Sequence, residues 1–201
     1  MMTSKITRRH ALFTGLSSVT ALSVSPAFAL NEAEATTLID GVVRDINCAI
    51  NSGKRGTALY RDFEAIFVKY ADVPTISRSI LGPPARTASS GQLRAFEKSL
   101  TGYLSRKYGK RFREFQGGEV QVTGARQIKS FQEVRGTAKA RGVAPFAVSF
   151  MVSDRSGKDK FFDLLIEGIS LLKAERSEIG AVLDRVGGDV DKLIQELNRL
   201  G

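Results

Sequence analysis

The chain has one histidine, one cysteine and no tryptophan among its 201 residues. The histidine, His10, lies in a segment that reads as a removable export signal. Lys5, Arg8 and Arg9 precede a short apolar stretch from Ala11 to Val24, which ends at Pro26-Ala27-Phe28-Ala29, a small-x-small cleavage pattern. The stretch is too short to span a bilayer comfortably. Thr7-Arg8-Arg9-His10-Ala11-Leu12 is also similar to a twin-arginine signal, without the aromatic usual there, so both that route and the general secretory route remain open. Removal of residues 1–29 leaves a single domain over 30–201 with no histidine. Ser-His-Asp and Cys-His nucleophiles are then excluded, as is a zinc site of His and Cys, and neither a catalytic residue nor a metal ligand is assigned. A lone Cys48 cannot form an internal disulfide. It precedes Ala49-Ile50 in an apolar helical pattern and is expected to be a buried, inert thiol.

Long apolar runs and low-complexity tracts are also missing, as are internal repeats. The charge is moderately positive. Three of the 30 basic residues and none of the 21 acidic ones lie in the signal, so the exported chain keeps a surplus of six positive charges. A basic exported protein meets anionic lipid surfaces rather than nucleic acid. The length suits one domain with a sizeable core, and nothing in it demands more than a monomer.

What is present divides into a helical half and a strand half. Asn31 and Glu34 have capping-box spacing, and Leu38, Ile39, Val42, Val43, Ile46 and Ile50 follow at helical intervals up to Gly53. Further helices are predicted over 58–70 and from Pro74 to before Pro83-Pro84. Another runs from the Ser89/Gln92 capping pair to about Tyr108, with a possible extension to Phe115. After Gly117-Gly118 the period becomes two: Val120 and Val122, a polar run over 131–140 that reads as an exposed strand, then Phe146, Val148, Phe150 and Val152. A turn at 154–158 leads to Phe161-Phe-Asp-Leu-Leu-Ile-Glu167. Helices return over 176–186 and 189–199. The class is therefore α+β, a curved antiparallel sheet of about four strands wrapped by helices. Its apolar positions supply more wall than a small sheet needs. They are compatible with a solid core or with a cavity.

Several segments carry a resemblance that favours the cavity. They are Tyr70-Ala71 and the helix after it, Ala95-Phe96 through Tyr103-Leu104 to Tyr108-Gly109, and above all Asp163-Leu-Leu-Ile-Glu167-Gly168-Ile169-Ser170 followed by Arg176-Ser177; Leu193-Ile194-x-x-Leu197 adds to them. Over nearly all of residues 30–201 the chain resembles the MlaC, or toluene-tolerance, family of periplasmic phospholipid-binding proteins. Ala174-Glu175 departs from the Asn-Tyr pair that many members have before the arginine, and Gly187-Gly188-Asp189 is a longer link than usual. The resemblance implies a cone-like fold with a deep apolar pocket, similar to nuclear transport factor two. It implies a phospholipid held as cargo with no cofactor, and a shuttle between an outer-membrane lipoprotein–porin complex and an inner-membrane ABC transporter complex.

On that reading Phe146, Val148, Phe150, Val152, Phe162, Leu164 and Ile166 line the pocket from the sheet, and Phe63, Phe67, Ile76, Ile80, Leu100 and Leu104 close it from the helices. The alternation leaves open the other face, with Phe161, Leu165 and Met151. Asp163 and Glu167 are expected to pair with basic neighbours on the sheet. Arg106, Lys107, Lys110, Arg111 and Arg113 form a basic cluster, either a solvated helix face or a docking surface for membranes or partner complexes. Two rival functions are a solid-core envelope adaptor and a cone-fold enzyme. For the enzyme, Asp163 and Glu167 lie about 13 Å apart on an extended strand, too far for a carboxylate pair. If the export reading holds, N-terminal sequencing of the protein from an envelope fraction will find Leu30 as the first residue; full-length protein in the cytosol would overturn it.

Overall fold

In the computed structural model, residues 30–112, 118–140 and 142–200 are described. The export signal read over 1–29, the possible helical extension past Phe112 and Arg113 lie outside them.

The first helix, α1 (Glu32–Asn51), starts with the predicted capping box: the Asn31 side chain accepts from Glu34 N at 2.9 Å, and Asn31 N donates to Glu34 Oε2 at 3.0 Å. Ala35, Ile39, Val42, Ala49 and Ile50 form its buried face. Cys48 is exposed rather than buried. At about 100° per residue it points some 200° away from both Ile46 and Ile50, so an apolar neighbour in sequence is not a neighbour on the helix. The second helix, α2 (Thr57–Tyr70), buries Leu59, Phe63 and Tyr70. In α3 (Val73–Leu81) the Asp72 side chain caps Thr75 N at 3.2 Å and Pro74 occupies the first turn. A 3₁₀ turn at Pro83–Arg86 follows. Ser89 and Gln92 then exchange side-chain to backbone hydrogen bonds of 3.0 and 3.1 Å at the start of α4 (Ser90–Phe112), whose Phe96 and Leu100 are wholly buried.

The sheet has five strands in sequential order, each antiparallel to the next: β1 (Glu119–Ile128), β2 (Phe131–Ala140), β3 (Val143–Ser153), β4 (Lys160–Ile166) and β5 (Ile169–Ser170). Each of the three long pairings contains a register shift, at Val122/Gly124, Ala138/Ala140 and Met151/Val152. Such bulges bend and twist a ladder, which gives the sheet its curvature. The polar strand read as exposed is β2, and it is largely interior. Flanked by β1 and β3, it buries Val134 completely and Glu133 against Arg126. Two of its polar residues are buried against partners: Glu133 pairs with the exposed Arg126, and Gln132 Nε2 donates to Leu30 O at 2.9 Å.

The fifth strand and an early helix start are the main departures from the sequence reading. The last two helices are α5 (Leu171–Arg185) and α6 (Val190–Arg199). Helix α5 begins five residues before the expected Arg176. Glu167 and Gly168 both have positive φ, +50° and +77°, the signature of a two-residue hairpin whose twist suits the flanking strands. That hairpin returns the chain as β5, and Ser170 then caps α5 by accepting from Lys173 N at 3.1 Å. Leu171 and Leu172 extend the apolar run of β4 in sequence, yet they belong to the first helical turn.

Asp163 explains why the helix starts there. Its Oδ1 accepts from Leu172 N at 3.0 Å and from Leu164 N at 2.8 Å, and its Oδ2 accepts from Ser170 Oγ at 2.6 Å. It is a cap fixed to the sheet, not a partner for a basic neighbour. Glu167 likewise accepts from the backbone N–H of Ala147 through Oε1. Both carboxylates therefore satisfy backbone donors where strand gives way to helix. Asp163→Ala orphans two backbone N–H groups and the cap hydroxyl. It is expected to destabilise the fold by about 1–3 kcal/mol in urea denaturation; an unchanged midpoint would show that this junction does not depend on Asp163.

Candidate functional site

Between the concave face of the sheet and the helices lies a cavity of about 440 Å³, within the ~300–1,000 Å³ range of small-molecule sites. Its wall is almost entirely apolar. Val42, Val43, Ile46 and Ile50 come from α1, Phe63, Ile66 and Phe67 from α2, Ile76 and Ile80 from α3, and Leu104, Tyr108 and Gly109 from α4. The sheet adds Val120, Ala138, Phe146, Val148, Phe150, Phe161, Phe162, Leu164 and Ile166, and α5 adds Leu171 and Leu172. A second depression, at Pro83, Thr87, Gln92 and Gly188, is a shallow and partly polar surface groove. The apolar space is the candidate site, lined by five helices and four strands of the fold.

Eleven of the residues expected to line a pocket do so: Phe63, Phe67, Ile76, Ile80, Leu104, Phe146, Val148, Phe150, Phe162, Leu164 and Ile166. Leu100 and Val152 do not. Both are wholly buried among other side chains and take no part in the wall. Of the alternative strand face, Phe161 alone reaches the cavity. Met151 pairs with Asp163 but Val152 pairs with Phe161, so Phe162 is an extra residue in β4. The bulge turns Phe161 to the same side as Phe162, a reversal that strict alternation cannot foresee. Phe161 meets Phe67 and Phe150 edge-on at ring distances of 6.0 and 6.1 Å. The contributions of α1 and of Leu171-Leu172 were not singled out from sequence, because a helix stripe facing a cavity has the same period as one facing side chains.

Polar groups mark the opening. Arg111, Glu119 and Lys139 line the cavity and are exposed, and Glu119 and Lys139 are cross-strand partners at one end of the sheet. One helical turn inward from Arg111, Tyr108 and Glu175 enter the wall. The Tyr108 hydroxyl donates to Glu175 Oε1 at 2.5 Å, and Lys107 Nζ donates to the same oxygen at 2.7 Å and to Glu178 Oε2 at 2.6 Å. The Tyr103 hydroxyl donates to Glu178 Oε1 at 2.8 Å. Burial pushes the Tyr103 hydroxyl up to about 12, with the hydrogen bond to Glu178 adding to it. Burial, reinforced by Glu175, also raises Tyr108. For Lys107 burial works downward, but the hydrogen bonds to Glu175 and Glu178 outweigh it and hold the ammonium charged. The hydrogen bond from Lys107 lowers Glu178. This network ties α4 to α5 across one side of the cavity.

The basic cluster on α4 is thereby divided. Arg106 donates to Leu197 O at 2.7 Å and to Leu200 O at 2.8 and 3.0 Å, capping the end of α6. Lys107 is engaged in the network just described. Lys110 and Arg111 are exposed on the last turn of α4. Among the described residues no group of three or more His, Cys, Asp or Glu could hold a metal ion, and no helix is long and apolar enough to cross a membrane.

Comparison with solved structures finds a phospholipid-binding protein from Ralstonia solanacearum, determined in complex with a phospholipid. The likeness has a TM-score of 0.70 at 20% identity and covers 82% of this chain and 95% of that one. At that identity the likeness establishes a shared fold. Comparison with curated protein sequences gives no match. The model of the family described as MlaC protein matches residues 37–199, which include all six helices for most of their length and the whole sheet, and the chain belongs to the MlaC family.

Proposed function

We propose that the protein is a periplasmic phospholipid carrier that buries acyl chains in the cavity and keeps the headgroup at the Arg111–Glu119–Lys139 mouth. The observation that carries this reading is the cavity itself. Without a ligand the apolar lining of this space is left against water, at about 25 cal/mol for each Å² exposed. A hydrocarbon ligand offsets that cost by supplying the missing contacts. The phospholipid held by the Ralstonia protein of the same fold supports the same cargo here.

A carrier also answers a physical need. Exposing each methylene to water costs about 0.8 kcal/mol, so one chain of about sixteen carbons costs roughly 12 kcal/mol. Crossing an aqueous compartment therefore requires an enclosure for the tails. Family membership supports a shuttle between an outer-membrane lipoprotein–porin complex and an inner-membrane ABC transporter complex. Lys110 and Arg111, beside the opening, are the proposed contacts with anionic membranes or acidic partner surfaces. A solid-core adaptor has no use for the cavity. The carboxylate singled out from sequence for a cone-fold enzyme, Asp163, has both oxygens engaged by the fold, and residues 30–201 contain no histidine.

Val148→Trp places a large side chain in the middle of the sheet wall. The variant should stay folded, at a cost of about 1–3 kcal/mol, and lose most of the lipid extracted from protein purified without detergent, as read by mass spectrometry. A folded variant with its full lipid load would remove the cavity from the proposed function.

A further inference from the structure

Glu175 is an unusual presence in a hydrocarbon site. It lines the cavity and is only 3% exposed. Its Oε1 takes both hydrogen bonds the protein offers, from Lys107 and Tyr108, while Oε2 is buried with no partner. Ser105, one turn from Tyr108 on α4, is also among the lining residues, and its Oγ is buried and unpartnered. The other lining carboxylates differ. Asp163 is saturated by Leu164, Leu172 and Ser170, and Glu119 is exposed to water at the mouth. Lys107 is shared between Glu175 and Glu178. A buried carboxylate oxygen without a donor is costly, and a ligand that supplies one removes the cost.

We propose that Glu175 makes the cavity selective for lipids whose polar end carries a hydrogen-bond donor, a hydroxyl or a primary ammonium. The inference rests on the carrier reading above and adds a specificity-determining residue to it. Its place in the wall fits the role. Tyr108 lies one helical turn before the exposed Arg111 on α4 and holds Glu175 of α5 by its hydroxyl, beside the polar opening, while buried Ile76, Ile80 and Phe150 belong to the apolar wall. Ester carbonyls and phosphate oxygens only accept hydrogen bonds, and a quaternary ammonium has no N–H. None of them satisfies Oε2. A hydroxyl or primary ammonium does, and a site built around such a bond discriminates against the analogue that lacks it.

The test equilibrates purified protein with vesicles of equimolar phosphatidylethanolamine, phosphatidylglycerol and phosphatidylcholine carrying identical palmitoyl and oleoyl chains. A second arm uses phosphatidylcholine vesicles containing lysophosphatidylcholine, whose donor is on the glycerol. The re-isolated protein is extracted and its lipids quantified against vesicle composition. A donor-bearing lipid should be enriched about tenfold over phosphatidylcholine, and the enriched species identifies the donor as ammonium, headgroup hydroxyl or glycerol hydroxyl. Glu175→Gln keeps an acceptor for Lys107 and Tyr108 but turns an N–H₂ group toward the ligand, and its enrichment should fall to within about twofold of the vesicle composition. A purely structural Glu175 would leave the ratio unmoved. Wild-type protein that takes phosphatidylcholine at its vesicle share in both arms overturns the proposal, whether or not the variant folds; so does Glu175→Gln with the enrichment intact. Lipid uptake without discrimination defeats this inference alone, whereas no uptake from any vesicle defeats the carrier reading as well.

Discussion

An apolar wall that is not filled by the protein's own side chains is the constraint on which the structure depends. In an ordinary core, residues of opposing layers interdigitate at near-crystalline density and each side holds the other in place. Here the sheet face bearing Val148, Phe150 and Leu164 and the helix faces bearing Ile46, Phe67 and Ile80 look at each other across open space. The walls must be kept apart and in shape from their edges. Packed side chains do part of this, and Phe96, Leu100, Val134, Val152, Leu193 and Leu197 are wholly buried away from the cavity wall. The sides do it with backbone bonds and charged ties.

Those ties concentrate where strand gives way to helix. Asp163 joins β4, Ser170 and the first turn of α5 through one carboxylate, and Ala71 bridges Phe161 so that the α2–α3 junction is pinned to β4. Asp72 N donates to Phe161 O at 2.8 Å at the same place. Along the α4–α5 side, Lys107 links Glu175 and Glu178. Burial makes such groups costly to leave unpaired, so the geometry that satisfies them also sets the width of the cavity. The curvature of the sheet comes from its bulges, and the bulge at Phe162 serves twice: it bends β4 and adds a second aromatic ring to the wall.

The polar elements of the cavity are graded from outside inward. Exposed charges at the mouth meet water and counter-ions, where their interactions are screened within about 8 Å. One turn deeper, burial shapes the properties of Tyr103, Tyr108 and Lys107. Beyond them the wall is hydrocarbon and phenyl. A wet head, a hydrogen-bonding neck and a dry tail are the three zones of an amphiphile, and the wall follows that order.

Much of this was legible in the residues themselves. Capping boxes at Asn31 and Ser89 are local signals, decided by side chains three positions from their partners, and they set two helix starts to the residue. The change of period after Gly118 separated helices from sheet, and alternation put Val148, Phe150, Phe162 and Leu164 on one face. Non-local effects were not legible. Cys48 lies outside because helical geometry separates it from its apolar neighbours. Leu171 and Leu172 are helical because Asp163 and Ser170 cap them from other elements. Arg106 was claimed by the end of α6, more than ninety residues away. Whether an apolar stripe faces side chains or a cavity is also a matter of what lies opposite. Local pattern determined which face of each element avoids water; only the tertiary arrangement decided that those faces would stand apart and leave a space between them.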